Sequence, residues 1–528
     1  MTDGPTAPRS EPQGPDTRPA ADSQDEALAF LTQGVSYGDA SATVERTDTH
    51  CSVIFLVGER AFKMKRAVVF SYLDYGTLAR RRRFCEAELA LGRRLAPAMY
   101  RGLHAVTRDA SGGLALDGTG TPVEFLVEMR RFDEADLFDK LAKAGRLTPA
   151  LMRDLADGIA EFHATSEPTP SHGGSAAIRA VIDDCRDNLR RASGIFEIER
   201  VDALHAASLV AWQGAATLLD RRRADGKVRR CHGDLHLRNI CLLDGKPTLF
   251  DGIEFSDDIA DIDVLYDLAF LLMDLRHREH DDLGNLVFNR YLDRTDDTGG
   301  LAALPLFLSI RAAIRAHVTA ASAPQQSDSA AAAEQARSYL ALARDLLRPR
   351  QPSLIAIGGV SGTGKSSLAR AVAPALGPVP GARMVHTDII RKRLAGVAPE
   401  TRLPPGAYSR EMNDRVYGAL YAEATEALRA GYAVIVDAVS LLPAERAATA
   451  EIARSVGVSF TGIWLEAPPE LLAERIAART GDASDATVDV LHLQLGHNPG
   501  PIEWHRLDAA KGIADLAAAA RSILAASA

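Results

Sequence analysis

The sequence predicts two domains in tandem, an α+β module followed by an α/β module built on a parallel sheet. Three observations carry that expectation. The chain has 528 residues, too many for one ordinary core. A seam at about 321–352 opens on Ala321-Ser322-Ala323-Pro324, continues as an Ala-rich helical stretch and closes on Pro349 and Pro352. On either side of it stands a different motif. His232-Gly233-Asp234-Leu235-His236-Leu237-Arg238-Asn239 and Asp251 lie before it, and Gly359-Val360-Ser361-Gly362-Thr363-Gly364-Lys365-Ser366 follows it. The expected modules span 25–345 and 351–528, behind a disordered tail at 1–24, with no internal repeat.

Composition narrows the class. Hydrophobic residues make up 46% and charged residues 25%, as in a soluble globular protein. A net charge of -9 argues against nucleic-acid and anionic-membrane partners. The runs Arg80–Arg83 and Arg221–Arg223 read as solvated helix faces or ends. Five cysteines (Cys51, Cys85, Cys185, Cys231, Cys241) form no CxxC pair, which suits reduced thiols and a cytoplasmic location. The tail carries no apolar stretch of a signal peptide. The most apolar helical run, Val264–Leu275, is broken by Asp267 and Asp274 and is too short to cross a bilayer.

In the first module, Ile240–Leu243 and Thr248–Phe250 flank Asp244-Gly245, a strong two-residue hairpin signal. In that register Leu243 faces Lys246 and Asn239 faces Phe250, so Asn239 and Asp251 emerge at the open end of one hairpin. An amide oxygen and a carboxylate are suitable hard ligands for Mg2+ carrying ATP phosphates. Asp234, five residues before Asn239, is placed to orient an acceptor hydroxyl and take its proton.

These residues resemble the aminoglycoside-phosphotransferase branch of the bilobal protein-kinase-like fold across most of 40–320. The resemblance implies a catalytic Asp234, metal ligands Asn239 and Asp251, and an Asp267 that braces the catalytic loop. It also implies a small lobe whose lysine meets the ATP phosphates. Val53–Val57 and Ala61–Lys65 read as strands around Gly58-Glu59-Arg60, with Lys63 and Lys65 on one face. Lys63 is favoured over Lys65. Glu88, on a helix from Thr77 to about Leu95, is favoured over Glu86 as the partner. Phe125–Met129 reads as the strand entering an adenine-binding hinge. No GxGxxG precedes Lys63, and Gly252-Ile253 follows Asp251 in place of Phe-Gly. His163, ending an amphipathic helix, reads as a packing histidine, and His236 as a support within the loop.

In the second module, the buried-strand pattern Leu354–Ile357 runs straight into Gly359–Ser366 and a helix carrying Leu368, Val372 and Leu376. Backbone N–H groups at Gly359, Ser361, Gly362, Thr363 and Gly364 are placed to cradle phosphates. Lys365 neutralises the β- and γ-oxygens, and Ser366 offers a metal ligand. Met384 and Val385 end a second strand just before Asp388, and Ala433–Val436 is a third that ends in Asp437. At the carboxyl ends of a parallel sheet, Asp388 is placed to orient or deprotonate a hydroxyl, beside Arg391. Asp437 is placed for a metal-linked or substrate role. Arg475 and Arg479, four apart on one helical face, are expected to reach the transferring phosphoryl group. This half resembles small P-loop metabolite kinases such as gluconate kinase, and more loosely the zeta-toxin and polynucleotide 5′-kinase group, over 353–510.

The expectation is a bifunctional ATP- and Mg2+-dependent phosphotransferase with two active sites and small hydroxylated acceptors. The rival is one catalytic module beside a nucleotide-sensing or regulatory ATPase. The whole chain, including 81–97 and 479–494, is similar to bacterial fusions of an aminoglycoside-phosphotransferase-like domain with a P-loop kinase-like ATPase domain. The acceptor pockets fall in 171–219 and 395–418, where no residue type names an acceptor, and nothing in the sequence gives an oligomeric state.

Overall fold

A computed structural model describes residues 23–70, 73–325, 328–478 and 484–527. The expected tail therefore lies almost wholly outside the described residues. The chain forms two compact units, one of Met1–Phe132 with Glu254–Ser256, the other of Asp133–Ile253 with Asp257–Ala528.

The first unit is built on an antiparallel six-stranded sheet. Its order is Val44–Asp48, Ser52–Val57, Arg60–Lys65, Thr121–Arg130, Tyr100–Arg108 and Leu114–Leu116. Strand alternation divides Arg60–Lys65 between two faces: Phe62 and Met64 join Val53, Phe55 and Leu126 in the core, which turns Lys63 and Lys65 the other way. The helix Leu78–Leu95 packs on Thr121–Arg130 and starts at Thr77, whose hydroxyl accepts from Arg80 N. Arg81 departs from its expected solvated face. It is 1% exposed, and its Nε donates to Glu124 at 2.9 Å.

The second unit joins a helical body to a five-stranded parallel sheet, and its order is Arg383–His386, Val434–Asp437, Ser353–Gly358, Ser459–Glu466 and His505–Asp508. The strands are near-continuous apolar runs because both faces are covered. Ile355, Ile357, Ile435 and Ile463 pack there with Leu368 and Val372 of the Lys365–Val372 helix. That helix stops short of Leu376, because Pro374 cannot continue it.

The Ala-rich stretch of the seam is the expected helix, Ser329–Leu346, and it buries Ala332, Ala336, Tyr339 and Leu340 against Leu304–Ser322. Ser309 Oγ donates to Ala343 O at 2.8 Å across that pair. The connector shrinks to 347–352. Arg222, also expected on a solvated face, is 3% exposed and forks between Asp263 (2.7 Å) and Asp297 (2.8 Å). Among the described residues, another apolar helical stretch, Thr298–Ser322, is longer than Val264–Leu275. By length and composition its 25 residues suffice to cross a membrane, but 67% of its most apolar window is buried inside the protein. Arg311, in the middle of it, lies 3.8 Å from the Tyr266 ring centre.

Candidate active sites

The hairpin before the seam forms in the register read from Asp-Gly. Ile240 faces Leu249 and Leu243 faces Lys246, while Asp244 and Gly245 take positive φ of 51° and 76°, as a tight twisted turn requires. Phe250 N donates to Asn239 O at 3.0 Å. Asn239 and Asp251 thus flank the open end, with Asp251 also left-handed at φ 59°. Asn239 Nδ2 donates to Asp234 Oδ2 at 2.9 Å, which leaves its amide oxygen for a cation.

Asp234 is 35% exposed at its side chain, and His236 Nε2 lies 3.3 Å from its Oδ2. Burial pushes its carboxyl up, but His236, then Arg315 and His232, hold it well below the usual carboxylate range. It therefore stays ionised at neutral pH. Behind it the loop is tied down from the Val264–His277 helix. Fully buried Asp267 accepts from Gly233 N (2.9 Å), His232 N (3.1 Å) and His163 Nε2 (3.1 Å). Tyr291 OH meets the other nitrogen of His163 at 2.9 Å. His163 packs and braces. His232 Nε2 reaches Phe250 O at 2.9 Å, linking loop to hairpin, and burial lowers the pKa of its ring.

In the small unit, Glu88 is 2% exposed and receives both lysines, Lys63 Nζ at 2.9 Å and Lys65 Nζ at 2.7 Å. Burial works against the Glu88 charge, yet Lys63 and Lys65 bring its carboxyl down to about 2. Glu86 instead pairs with Arg82 at 2.9 Å on an exposed face. Lys65 is the more enclosed lysine at 1% side-chain exposure against 11% for Lys63, and it also pairs with Glu254. Tyr75 OH donates to Glu254 at 2.5 Å. The Glu254 and Tyr75 contacts had no sequence signal, since they join residues far apart in the chain.

After the seam, Gly362 and Gly364 take φ of 86° and 85°, open to glycine at no steric cost. A Cβ on Gly362 would stand 2.9 Å from Leu472 O, and one on Gly359 would stand 2.6 Å from Leu465 O. Backbone and glycine thus form a cradle that fits a phosphate chain. Thr363 Oγ1 closes the turn on Val360 O at 2.8 Å, and Lys365 Nζ donates to Gly359 O at 2.8 Å. Ser366 Oγ donates to Asp437 Oδ2 at 2.5 Å, and His386 Nδ1 approaches the same oxygen at 2.8 Å. Burial opposes the Asp437 charge, but His386, Lys365 and Ser366 lower its carboxyl to about 2. A hydroxyl and an ionised carboxylate side by side suit a hydrated Mg2+.

Asp388 sits in the first turn of the Thr387–Leu394 helix. Burial, joined by the charge of Asp437, raises its carboxyl above the usual range against a hydrogen bond from Ser484 and the charges of Lys365 and Arg391. Arg391 is 5% exposed, donates to Ala407 O at 2.9 Å and lies 4.7 Å from the Tyr408 ring centre. Arg475 is half-buried in the last turn of Pro469–Ala477, whose Leu472 and Ile476 pack with Val360. That helix ends before Arg479, which lies outside the described residues. The sequence reading missed Lys392, which is fully buried and bonds Asp485 at 3.0 Å, and Tyr408, which bonds it at 2.6 Å. It also missed Gln494, whose Oε1 accepts from Ser361 N at 2.8 Å. Two of the three lie in 395–418 or in 479–494, stretches singled out without a residue-level signal.

Comparison with known proteins matches both halves of the chain to families. The phosphotransferase enzyme family model matches residues 64–304, and an AAA domain model matches 354–498. Uncharacterized proteins of Mycobacterium tuberculosis and Mycobacterium bovis are 30% identical over 475 residues, which cover 88% of this chain and 92% of each relative. A gluconokinase from Sinorhizobium meliloti is similar over 33% of this chain and 94% of its own, at 27% identity and a TM-score of 0.24. An ethanolamine kinase of Plasmodium vivax covers 58% of this chain and 85% of its own, at 11% identity and a TM-score of 0.38. Each module of this chain is of a kinase-like phosphotransferase type, and such families use ATP with Mg2+. The chain belongs to the family that joins a phosphotransferase-family module of protein-kinase-like fold to a P-loop kinase-like AAA-domain module.

Proposed function

We propose that the chain is a bifunctional phosphotransferase, with each module moving the γ-phosphoryl group of ATP to a hydroxyl of a small molecule. The observation that carries this reading is the same in both modules. A carboxylate suited to an acceptor hydroxyl stands beside an oxygen-bearing set suited to Mg2+: Asp234 with Asn239 and Asp251, and Asp388 with Ser366 and Asp437. Mg2+, when bound, supplies charge neutralisation at the phosphates. In the first centre Asp234 orients the hydroxyl. As its oxygen bonds the γ-phosphorus and the bond to the ADP oxygen breaks, the hydroxyl proton passes to the carboxylate. In the second centre Asp388 takes the same part, with Lys365 neutralising the phosphates and Arg475 and Arg479 as further cations for the transferring phosphoryl group. Lys63 or Lys65, held by Glu88, steadies ATP phosphates. The acceptors are small molecules rather than nucleic acid, in keeping with a net charge of -9. Cys85, Cys185, Cys231 and Cys241 are free thiols, which suits work in the cytoplasm.

The test incubates γ-labelled ATP with a polar metabolite extract and reads new phosphorylated species by mass spectrometry. Asp234→Asn and Lys365→Ala are each expected to remove a different product. A product set untouched by Asp234→Asn but abolished by Lys365→Ala would reduce the first module to a nucleotide sensor.

A further inference from the structure

The strand Arg383–His386 is an edge of the parallel sheet and pairs with Val434–Asp437 on one side. Its other side meets the helix Asp281–Thr295, which lies in the stretch matched by the phosphotransferase family model. Asn289 Oδ1 accepts from Met384 N at 2.7 Å, and its Nδ2 donates to Ala382 O at 3.1 Å. Asn285 Nδ2 donates to Pro380 O and Ala382 O, both at 3.1 Å. Arg383 turns back onto the same helix, with Nη1 donating to Asn289 Oδ1 at 3.1 Å and Nη2 meeting Asp293 at 2.7 Å. Residues 285, 289 and 293 recur every fourth position, on one helix face. Asn285, Asn289 and Arg383 are all at most 3% exposed.

Edge strands are commonly blunted with charges, bulges or a covering helix. Here side-chain amides go further and fill ladder positions of the strand. The register they help hold has a chemical consequence, because His386 stands opposite Asp437. Its ring bonds the oxygen that also accepts from Ser366. A slip of one residue would turn that ring to the other face of the sheet.

We propose that Asn289 is a positioning residue for the P-loop centre, so that a helix of the kinase-like module completes the second phosphoryl-transfer site. This rests on reading Ser366 and Asp437 as the metal set of that site. Asn289 acts through the strand and His386, and touches neither phosphate nor acceptor.

The experiment uses the full chain with Asp251→Asn and titrates a fluorescent ATP analogue, once with Mg2+ and once with EDTA. The P-loop signal is the part lost on adding Lys365→Ala. Asn289→Ala is expected to weaken Mg2+-dependent binding about tenfold, the usual size of an outer-sphere loss. Binding in EDTA should hold within about twofold, since it rests on the glycine cradle. Asn289→Asp keeps both acceptor contacts but loses the donation to Ala382 O, and should recover part of the loss. Should Asn289→Ala not fold, Asn289→Ser, too short to reach Met384 N, carries the same expectation. Unchanged Mg2+-dependent binding with a lowered Tm would overturn the proposal and leave Asn289 as edge cover. Equal losses with and without Mg2+ would overturn it too. If Lys365→Ala removes no signal, the reading of the P-loop centre itself falls, whatever Asn289 does.

Discussion

Asp234 and Asp388 are the same residue type in opposite electrostatic settings. For Asp234, burial is outweighed by His236, Arg315 and His232, and the carboxyl is held low. For Asp388, burial and Asp437 outweigh Ser484, Lys365 and Arg391, and the carboxyl is held high. An aspartate takes a proton only when ionised, so each proposed reaction should lose rate as the pH falls through its own value. The acid limb of kcat for the Asp388 reaction should therefore lie at higher pH than that for the Asp234 reaction. On the proposed function, Asp234→Asn retains only the second reaction and Lys365→Ala only the first; their profiles measure this, and coincident limbs would refute it. Stability follows the same signs. Asp234 contributes stability above the unfolded carboxyl value of about 3.9 and loses it as the pH falls through its lower folded value. Asp388 favours the fold below that unfolded value and loses this contribution as the pH rises through its higher folded one.

At the scale of elements, the phosphate cradle and the helix Pro469–Ala477 are packed as one piece. Gly362, at φ 86°, has Leu472 O at 2.9 Å from the place a Cβ would take. Gly362→Ala meets both a left-handed backbone, costing about 1–2 kcal/mol, and that carbonyl. The substitution should abolish the Lys365-dependent product while leaving the Asp234-dependent product within about twofold. Mass-spectrometric assay of both products in one sample decides it, and equal loss of the two would show that the modules fail together. The helix Asp281–Thr295 is built for two tasks. Asn285 and Asn289 face the parallel sheet, and Tyr291 reaches His163, whose ring bonds the Asp267 that holds the His232 and Gly233 amides. Its sequence shows amphipathic spacing alone, and neither grip follows from periodicity.

For the whole molecule, the seam is a chain connection rather than a boundary between independent bodies. Arg383, 1% exposed, draws Asp293 and Asn289 from one side and Glu423 from the other. A fragment of 351–528 would keep Glu423 but lose Asp293 and the amides that cover its edge strand. Losing those hydrogen bonds and that packing destabilises the strand, and an uncovered edge invites association. The fragment should melt well below the full chain and aggregate on size exclusion. A monodisperse fragment with the Tm of the full chain would refute this.

Local chemistry made much of this protein legible before any fold was known. Asp244-Gly245 gave the hairpin register, and with it the emergence of Asn239 and Asp251 at one end. The run from Leu354 to Ser366 gave a strand, a turn and a helix in order, because glycine spacing and apolar runs act over a few residues. What escaped were pairings between residues far apart in sequence. Arg81 with Glu124, Arg222 with Asp263 and Asp297, and Lys65 with Glu254 are buried ion pairs. An arginine run looks the same in sequence whether water or a distant carboxylate receives it. The sequence alone determined the two motifs and the elements that carry them. Which charges are buried, and that the kinase-like helix grips the P-loop sheet, came from tertiary packing, since desolvation and partner geometry exist only once the chain has folded.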